Sequence, residues 1–99
     1  MAAYLLAAIS IDNAEAYVEY VERGMAAAEK NPVKVLAIDD VPRLMEGTLP
    51  AKRFVLMEFA DDAALQAFYH SKEYQSAIPI RQANAETSFL VSIDGLPQE

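Results

Sequence analysis

Short runs of apolar residues, each about as long as a typical strand, recur along this chain. They cover Ala3 to Ile11, Val33 to Ile38, Phe54 to Phe59 and Glu86 to Ile93. Runs of this length, bounded by turn-forming residues, predict four strands. The connection from Asp39 to Lys52 is longer than most hairpin loops, so we expect it to contain either extra strand pairing or a mobile flap.

Helical spacing follows the first predicted strand. Apolar residues recur there every three or four positions, which predicts an amphipathic helix whose apolar face packs on a sheet. Asp12, with Glu15 three positions later, predicts a capping box at the start of this helix, and Asn31-Pro32 predicts its end. The apolar face consists of Tyr17, Val21, Met25 and Ala28, with Tyr20 and Gly24 beside them.

A second helical region follows the third predicted strand. Either Asp61 or Asp62 can cap its start, because an Asx oxygen accepts a free first-turn N–H and its charge suits the positive end of the helix dipole. Ser71 is expected to cap a second short helix, Lys72 to Ile78, which should end there because the residue before Pro79 disfavours helical geometry. The apolar stripe of the first of these helices is Ala64, Leu65, Phe68 and Tyr69.

The order strand, helix, strand, strand, helix, strand predicts one α+β domain over residues 1–99 with the ferredoxin-like βαββαβ fold. Its antiparallel four-stranded sheet is expected to carry the helices on one face and to leave the other face bare. That bare face mixes large apolar with small polar side chains. We therefore expect a second copy of the chain to cover it in a face-to-face homodimer.

Alternation along the strands predicts which face of the sheet each side chain occupies. The positions expected to face the helices are Val55, Met57, Phe59, Phe89, Val91 and Ile93. The positions expected on the bare face are Phe54, Leu56, Glu58, Ser88, Leu90 and Ser92, together with Tyr4, Leu6, Ala8 and Ser10 of the first strand.

Charge and hydropathy exclude two classes of partner. The formal net charge is −7 and Lys and Arg form no cluster, which opposes nucleic-acid binding. No apolar run reaches the roughly 18 residues of a membrane span. The opening MAAYLLAAIS resembles the apolar part of a signal peptide but has no basic segment before it, so a cytoplasmic location is expected.

The sequence contains few residues that could bind a metal or cofactor tightly. It contains one His and no Cys, so disulfides, thiolate catalysis and thiolate metal sites are excluded. The pairs Asp39-Asp40 and Asp61-Asp62 lack the spacing of a calcium loop. His70 alone is a weak candidate for a haem ligand. We expect no tightly bound metal, haem or other cofactor.

Glu58 and His70 are the candidate catalytic residues. A carboxylate within an apolar strand is suited to proton abstraction, but it can equally form a salt bridge with Arg53 or Arg81, or a hydrogen bond to a serine across the sheet. The imidazole of His70 titrates near neutral pH and can shuttle protons, yet its position before a helix cap is also typical of a helix-end residue.

Five further residues are candidates for ligand binding. Arg53 and Arg81 can hold a carboxylate or phosphate, or instead neutralise acidic neighbours. Tyr69 and Tyr74 can line an apolar pocket and orient a ligand with their hydroxyls, or serve only as core residues. Ser71 lies in no nucleophile elbow, so a capping role is expected for it.

Residues spread over most of the chain match the pattern of a known family. The matching positions are Tyr17, Tyr20, Glu46, Gly47, Arg53, Glu58, Phe59, Ala64, Tyr69, Ser71, Glu73, Tyr74, Arg81 and Gly95. On these residues the sequence resembles the domain of unknown function 1330 family, one of the small dimeric α/β-barrel families with a ferredoxin-like fold. The resemblance implies a barrel closed by dimerisation, with a cavity between sheet and helices or between subunits. It implies no reaction, because similar folds include cofactor-free monooxygenases, isomerases and haem-binding peroxidases.

Two functional classes follow from these residues, and the sequence does not decide whether the protein is an enzyme. The first is a cofactor-free enzyme in which Glu58 or His70 moves protons on a small organic molecule held by Arg53 and Arg81. The second is a binding or sensing module that uses the same pocket without turnover. A third alternative is a stable dimer whose polar groups serve only assembly.

Overall fold

The computed structural model describes residues 1–97 and confirms the predicted ferredoxin-like fold. The four strands form one antiparallel sheet in the order β2-β3-β1-β4. Within the described residues no helix is long and apolar enough to cross a membrane. The elements are β1 Ala3–Ile11, α1 Ala14–Lys30, β2 Lys34–Asp39, β3 Arg53–Phe59, α2 Asp62–Tyr69, α3 Lys72–Asn84 and β4 Ala85–Asp94.

Helix α1 begins one residue later than the predicted capping box. Asn13 has extended backbone angles, and its side-chain oxygen accepts the Ala16 N–H at 3.1 Å. The prediction that Asp12 caps the helix is therefore wrong. The N–H groups of Asp12 and Asn13 both donate to the carbonyl of Asn84, at 2.9 and 3.1 Å, which ties the start of α1 to the end of α3. At the other end, Asn31 caps the helix as predicted.

Helix α2 begins where the sequence indicates. Asp61 is its N-cap, because the side-chain oxygen of this residue accepts the Ala64 N–H at 2.8 Å. Leu65 and Phe68 are buried against Phe59 of β3, with the two Phe ring centroids 5.4 Å apart. Burial of side chains of this size contributes roughly 1.5–3 kcal/mol each.

Helix α3 continues through Pro79, so the prediction that it ends at Ile78 is wrong. Proline removes one backbone hydrogen bond and crowds the preceding turn. The helix nevertheless runs on to Asn84, because it packs along α1 and buries Ala77 and Arg81 on either side of the proline. Ser71 caps its start as predicted, accepting the Tyr74 N–H at 3.2 Å.

All three helices lie on one face of the sheet, which we call the helix face. Ala3, Leu5 and Phe59 are buried beneath them as one core, and Ala7 and Ile9 belong to a second cluster with Tyr17. Because Tyr4 and Leu6 alternate with these positions, they point to the opposite face, which we call the open face.

The predicted orientation of strand β4 is wrong. Leu90 pairs with Ala7 and packs against both core clusters, so it points toward the helices. Phe89 pairs with Ala8 and stacks edge-on with Phe54 of β3 on the open face. The predicted orientation assigned the more apolar set of β4 to the helices, but the register with β1 places that set on the open face: Phe89, Val91 and Ile93.

The connection between β2 and β3 contains no strand, so the predicted alternative of extra pairing is wrong. Gly47 has a φ of 90°, a conformation that favours glycine. The end of the connection is attached to the sheet by two hydrogen bonds. Lys52 N donates to Ser10 Oγ at 3.3 Å, and Ser88 Oγ donates to the Pro50 carbonyl at 2.8 Å.

Candidate functional site

A cleft of about 190 Å³ opens between helix α1 and the helix face of the sheet. We call it the α1 cleft. Gly24 of α1 has no side chain to fill this cleft. Met25 was predicted to pack on the sheet. That prediction is wrong, because Met25 lines the cleft and is 64% exposed. The walls of the cleft are mainly apolar and include Ile9, Val21, Ala28, Val33, Val35, Ile38, Val55, Met57 and Leu90, while its polar groups belong to Tyr17, Tyr20, Tyr74 and Arg53.

Two tyrosines and an arginine form a hydrogen-bonded group at one wall of this cleft, the Tyr–Arg cluster of Tyr20, Tyr74 and Arg81. The hydroxyl oxygens of Tyr20 and Tyr74 are 2.7 Å apart. Arg81 Nη1 donates to Tyr74 Oη at 2.8 Å and lies 3.5 Å from Tyr20 Oη. The guanidinium carbon also lies 5.6 Å from the centroid of the Tyr20 ring, within cation–π range.

The charge of Arg81 is buried without a carboxylate. The residue is 5% exposed, and its Nε–H has no hydrogen-bond partner among the described residues. Within residues 1–97 the ion pairs join Arg23 to Glu19, Lys30 to Glu73 and Arg53 to Asp40, so none includes Arg81. A buried charge is normally paired, because desolvating it unpaired is unfavourable.

Burial keeps Tyr17 and Tyr74 neutral at this cleft. It raises the pKa of Tyr74, and the neighbouring Tyr20 adds to this effect. Burial also raises the pKa of Tyr17 to about 12. Burial alone would lower the pKa of Arg81, but the Tyr74 and Tyr20 hydroxyls outweigh it, so the net pKa is raised. At neutral pH the cleft therefore presents phenol O–H groups beside a guanidinium cation.

Arg53 also lines the α1 cleft but is already paired. Its Nε and Nη2 donate to the two carboxylate oxygens of Asp40, the second contact at 3.1 Å. This fork-like contact lowers the pKa of the Asp40 carboxyl and raises that of Arg53. Asp40 belongs to the connection after β2, so the pair holds the start of that connection against β3.

A second cavity, of about 240 Å³, lies between α2, α3 and strands β1 and β4. We call it the Arg81 cavity. It brings together three of the predicted site residues, Tyr69, His70 and Arg81. His70 is an exposed residue at the end of α2, where its ring meets the Tyr69 ring edge-on at 5.1 Å. The other lining residues are Leu5, Leu65, Gln66, Leu90 and Ser92.

Glu58 is separated from all of these groups. It lies on the open face, as predicted, where it accepts a hydrogen bond from Tyr4 Oη at 3.1 Å. The alternatives of a salt bridge with Arg53 or Arg81 are wrong, because those side chains bond to Asp40 and Tyr74. Glu58 and the two arginines therefore lie on opposite faces of the sheet and do not share a cavity.

Ser71 has the structural role that its sequence position indicates. Its Oγ donates to the Phe68 carbonyl at 2.7 Å and accepts the Tyr74 N–H. Three contributors were not among the predicted site residues: Tyr17, Tyr20 and Asp40. Tyr20 follows Tyr17 by three positions on one helix face, and that spacing was the available signal for it. Asp40 had no comparable signal, because its pairing with Arg53 depends on the course of the connection.

No group of three or more His, Asp or Glu side chains within residues 1–97 is placed to hold a metal ion. The polar groups of the α1 cleft are three phenols and a guanidinium, which can donate hydrogen bonds but are not the deprotonated ligands that metal ions require. The arrangement is thus suited to accepting an oxygen-bearing organic molecule.

The sequence and fold are similar to those of other proteins. A model of the family described as domain of unknown function (DUF1330) matches residues 2–96. No curated protein matches the sequence.

Solved structures resemble the fold closely. A protein of unknown function from Rhodopseudomonas palustris has a TM-score of 0.78 at 20% identity, covering 98% of this chain and 84% of that one. SnoaB, a cofactor-independent oxygenase from Streptomyces nogalater, has a TM-score of 0.63 at 8% identity, covering 98% and 95%. A dimeric ferredoxin-like protein of unknown function from Jannaschia sp. has a TM-score of 0.62 at 18% identity, covering 96% and 100%. At these identities the similarity shows the fold alone.

Proposed function

The chain belongs to the domain of unknown function 1330 family, and we propose that it binds a compact, mainly apolar organic molecule in the α1 cleft. The observation that carries this proposal is the buried Arg81, which has no carboxylate partner and donates instead to the Tyr74 hydroxyl at the cleft wall. In a dimer that binds no ligand, an apolar residue at position 81 would make the fold at least as stable as the buried arginine does.

The size of the cleft limits the ligand to about one substituted ring. An apolar cavity of roughly 150 Å³ accepts benzene, and the α1 cleft is about 190 Å³. Aliphatic side chains such as Val21, Val35 and Val55 are suited to the apolar body of such a molecule. A hydroxyl, carbonyl or phenolate oxygen on the ring would accept a hydrogen bond from the Tyr–Arg cluster.

The hydrogen bonds of the cluster favour donation into the cleft. Arg81 donates to Tyr74 Oη, so the Tyr74 proton is free to point to Tyr20 Oη, 2.7 Å away. The Tyr20 proton is then available for the ligand. A chain of hydrogen bonds that begins at a cation polarises each successive O–H, which strengthens the final bond to a ligand oxygen.

Binding without turnover is the function we favour. Among the described residues that line the cleft there is no carboxylate or imidazole, and the raised pKa values of Tyr17 and Tyr74 make these phenols poor bases at neutral pH. Glu58 lies on the other face of the sheet and His70 at the other cavity. Proton transfer by either residue stays a prediction from the sequence, as does the cytoplasmic location.

We also propose that two copies of the chain associate through the open faces of their sheets. The Jannaschia neighbour is dimeric, and the open face of this chain carries a continuous apolar surface. The interior of such a dimer would enclose Glu58 with its Tyr4 partner. The apolar residues of this face are Leu6, Phe54, Leu56, Phe89, Val91 and Ile93.

The four methionines of the chain provide a direct test of the binding proposal. Met25 and Met57 line the α1 cleft, whereas Met1 and Met45 are exposed elsewhere. With the methionine methyl groups labelled with carbon-13, NMR titration against a library of single-ring phenols, ketones and lactones should move the Met25 and Met57 signals. The Met1 and Met45 signals should stay fixed and serve as internal controls.

Two results would contradict the proposal. One is a screen in which no compound moves the Met25 and Met57 signals. The other is a screen in which all four methyl signals move together, as expected for weak contact with the whole surface. Glu58→Gln is a matched control, because it changes a polar group on the opposite face and should leave the ligand-induced movement of the methyl signals unchanged.

A further inference from the structure

We propose that the Arg81 cavity is a second binding site, which holds a small organic monocarboxylate. The cavity lies between α2, α3 and the strands β1 and β4, whereas the α1 cleft lies between α1 and the sheet. Both proposals rest on Arg81, but they concern different cavities and different ligands, so each has its own test.

The uncompensated charge of Arg81 is the main reason for proposing an anion. The side chain lines the cavity and is 5% exposed, and its Nε–H has no partner within residues 1–97. Its Nη1 is already engaged by Tyr74 Oη, a neutral acceptor that leaves the positive charge uncompensated. The Nε atom is itself buried, so a carboxylate in the cavity would contact the guanidinium at its accessible edge and supply the missing negative charge.

The three leucines among the lining residues favour a carboxylate with a hydrocarbon body over inorganic phosphate. Leu5, Leu65 and Leu90 line the cavity and can contact an aliphatic chain or a ring. A phosphate group would place further anionic oxygens against these side chains without donors for them, which is unfavourable. A single buried cation also matches the single charge of a monocarboxylate.

Two polar side chains also line the cavity. Gln66 and Ser92 both line the cavity and are exposed, so they can donate hydrogen bonds to a second carboxylate oxygen. The volume of about 240 Å³ is sufficient for a benzoate-sized molecule. We therefore use benzoate as the probe and benzamide as its neutral counterpart of the same shape.

The arginine Nε–H signals in a nitrogen-15 spectrum report directly on this contact. The chain contains four arginines, of which Arg23 and Arg43 lie outside both cavities. Benzoate should move the Arg81 Nε–H signal and leave the Arg23 and Arg43 signals unchanged. Benzamide should bind at least tenfold more weakly.

Three variants locate the site. Ser92→Phe should close the cavity and abolish the benzoate response without touching Arg81, whereas Ser92→Ala should keep it. Arg81→Met should also abolish benzoate binding, and a cooperative thermal transition would show that the variant is folded. The proposal is overturned if benzoate leaves the Arg81 signal unmoved, if benzamide binds equally well, or if benzoate binding persists in Arg81→Met or Ser92→Phe. These experiments do not use the Met25 and Met57 signals. A negative result for benzoate therefore does not decide whether a ligand binds in the α1 cleft, which the methyl titration tests separately.

Discussion

At the scale of single residues, Arg81 determines the chemistry of the helix layer. Its guanidinium is buried between α1 and α3, with Tyr74 as its normal hydrogen-bond acceptor and Tyr20 beside it. A buried charge held only by neutral phenols is retained at a cost in stability. In the proposed function, a ligand with an electron-rich oxygen offsets part of this cost.

The Tyr74 hydroxyl is expected to stabilise the fold through Arg81. Tyr74→Phe removes the acceptor at 2.8 Å and leaves the buried guanidinium without a normal hydrogen bond from residues 1–97. The free energy of unfolding should fall by about 1–3 kcal/mol, measured by urea denaturation. Tyr69→Phe is the matched control, because the Tyr69 hydroxyl makes no hydrogen bond within the described residues, and it should change stability by less than about 0.5 kcal/mol. Equal effects of the two substitutions would contradict this role.

Tyr17 is expected to make stability depend on alkaline pH. Its pKa is about 12 in the folded protein and 10.0 ordinarily, because burial favours the neutral phenol. Below pH 10 both states keep the proton and the stabilisation is complete. As pH rises from 10 to 12 the unfolded state loses the proton first, so the free energy of unfolding falls. Urea midpoints measured across this range should fall less steeply for Tyr17→Phe, and an identical slope in the variant would contradict the shifted pKa.

The site residues were only partly predictable from sequence. Residue type indicated that Arg81 and Tyr74 carry chemistry, and the structure brings these two into contact. Alternation along the strand placed Glu58 on the bare face, but the sequence did not place Arg81 on the other side, because the predicted helix ended at Ile78 and the observed helix continues to Asn84. The pairing of Arg53 with Asp40 depends on how a long connection returns to the sheet.

At the scale of elements, local signals predicted most strands and caps. Asp61 and Ser71 cap their helices because Asp and Ser side chains accept first-turn N–H groups in many contexts. Pro79 was misleading because packing of α3 along α1 outweighs the local preference against proline. Hydrophobicity was misleading for β4 as well. Its more apolar side chains were predicted to face the helices, but strand pairing places them on the open face, which is itself apolar.

Two glycines are expected to respond in opposite directions to alanine. Gly24 lies within α1, where a Cβ would meet no atom within 4 Å, so Gly24→Ala should stabilise the helix by about 0.5–1 kcal/mol. Gly47 has a φ of 90°, so Gly47→Ala should destabilise by about 1 kcal/mol or more. Thermal denaturation of the two variants side by side measures both effects. A stabilising Gly47→Ala would contradict the turn geometry of the connection.

At the scale of the whole molecule, the sheet separates two environments. The helix face contains the α1 cleft and the Arg81 cavity, while the open face contains Glu58 and an apolar surface. A bare apolar face of this kind on a small domain is unfavourable in water. In the proposed dimer, assembly and ligand binding therefore use opposite sides of the sheet.

A substitution at Val91 tests whether the open face forms the dimer interface. Val91 lies on the open face opposite Leu6 and is 40% exposed. Val91→Lys should convert the dimer to a monomer in sedimentation experiments, because burying an unpaired lysine in an apolar interface is unfavourable. Val18→Lys is the matched control, since Val18 is 52% exposed on the helix layer and should leave the dimer intact. A monomeric parent protein, or a dimer unaffected by Val91→Lys, would contradict the proposed interface.

Ligand affinity in two Gly24 variants decides whether the α1 cleft is the binding site. The best single-ring ligand from the methyl NMR screen is titrated into Gly24→Ala and Gly24→Leu. Both substitutions favour the helix, but only leucine places a side chain large enough to fill the α1 cleft. A ligand in this cleft should lose at least about tenfold in affinity, or about 1.4 kcal/mol, in Gly24→Leu relative to Gly24→Ala. Equal affinities for the two variants would show that the ligand binds elsewhere and would contradict the claim.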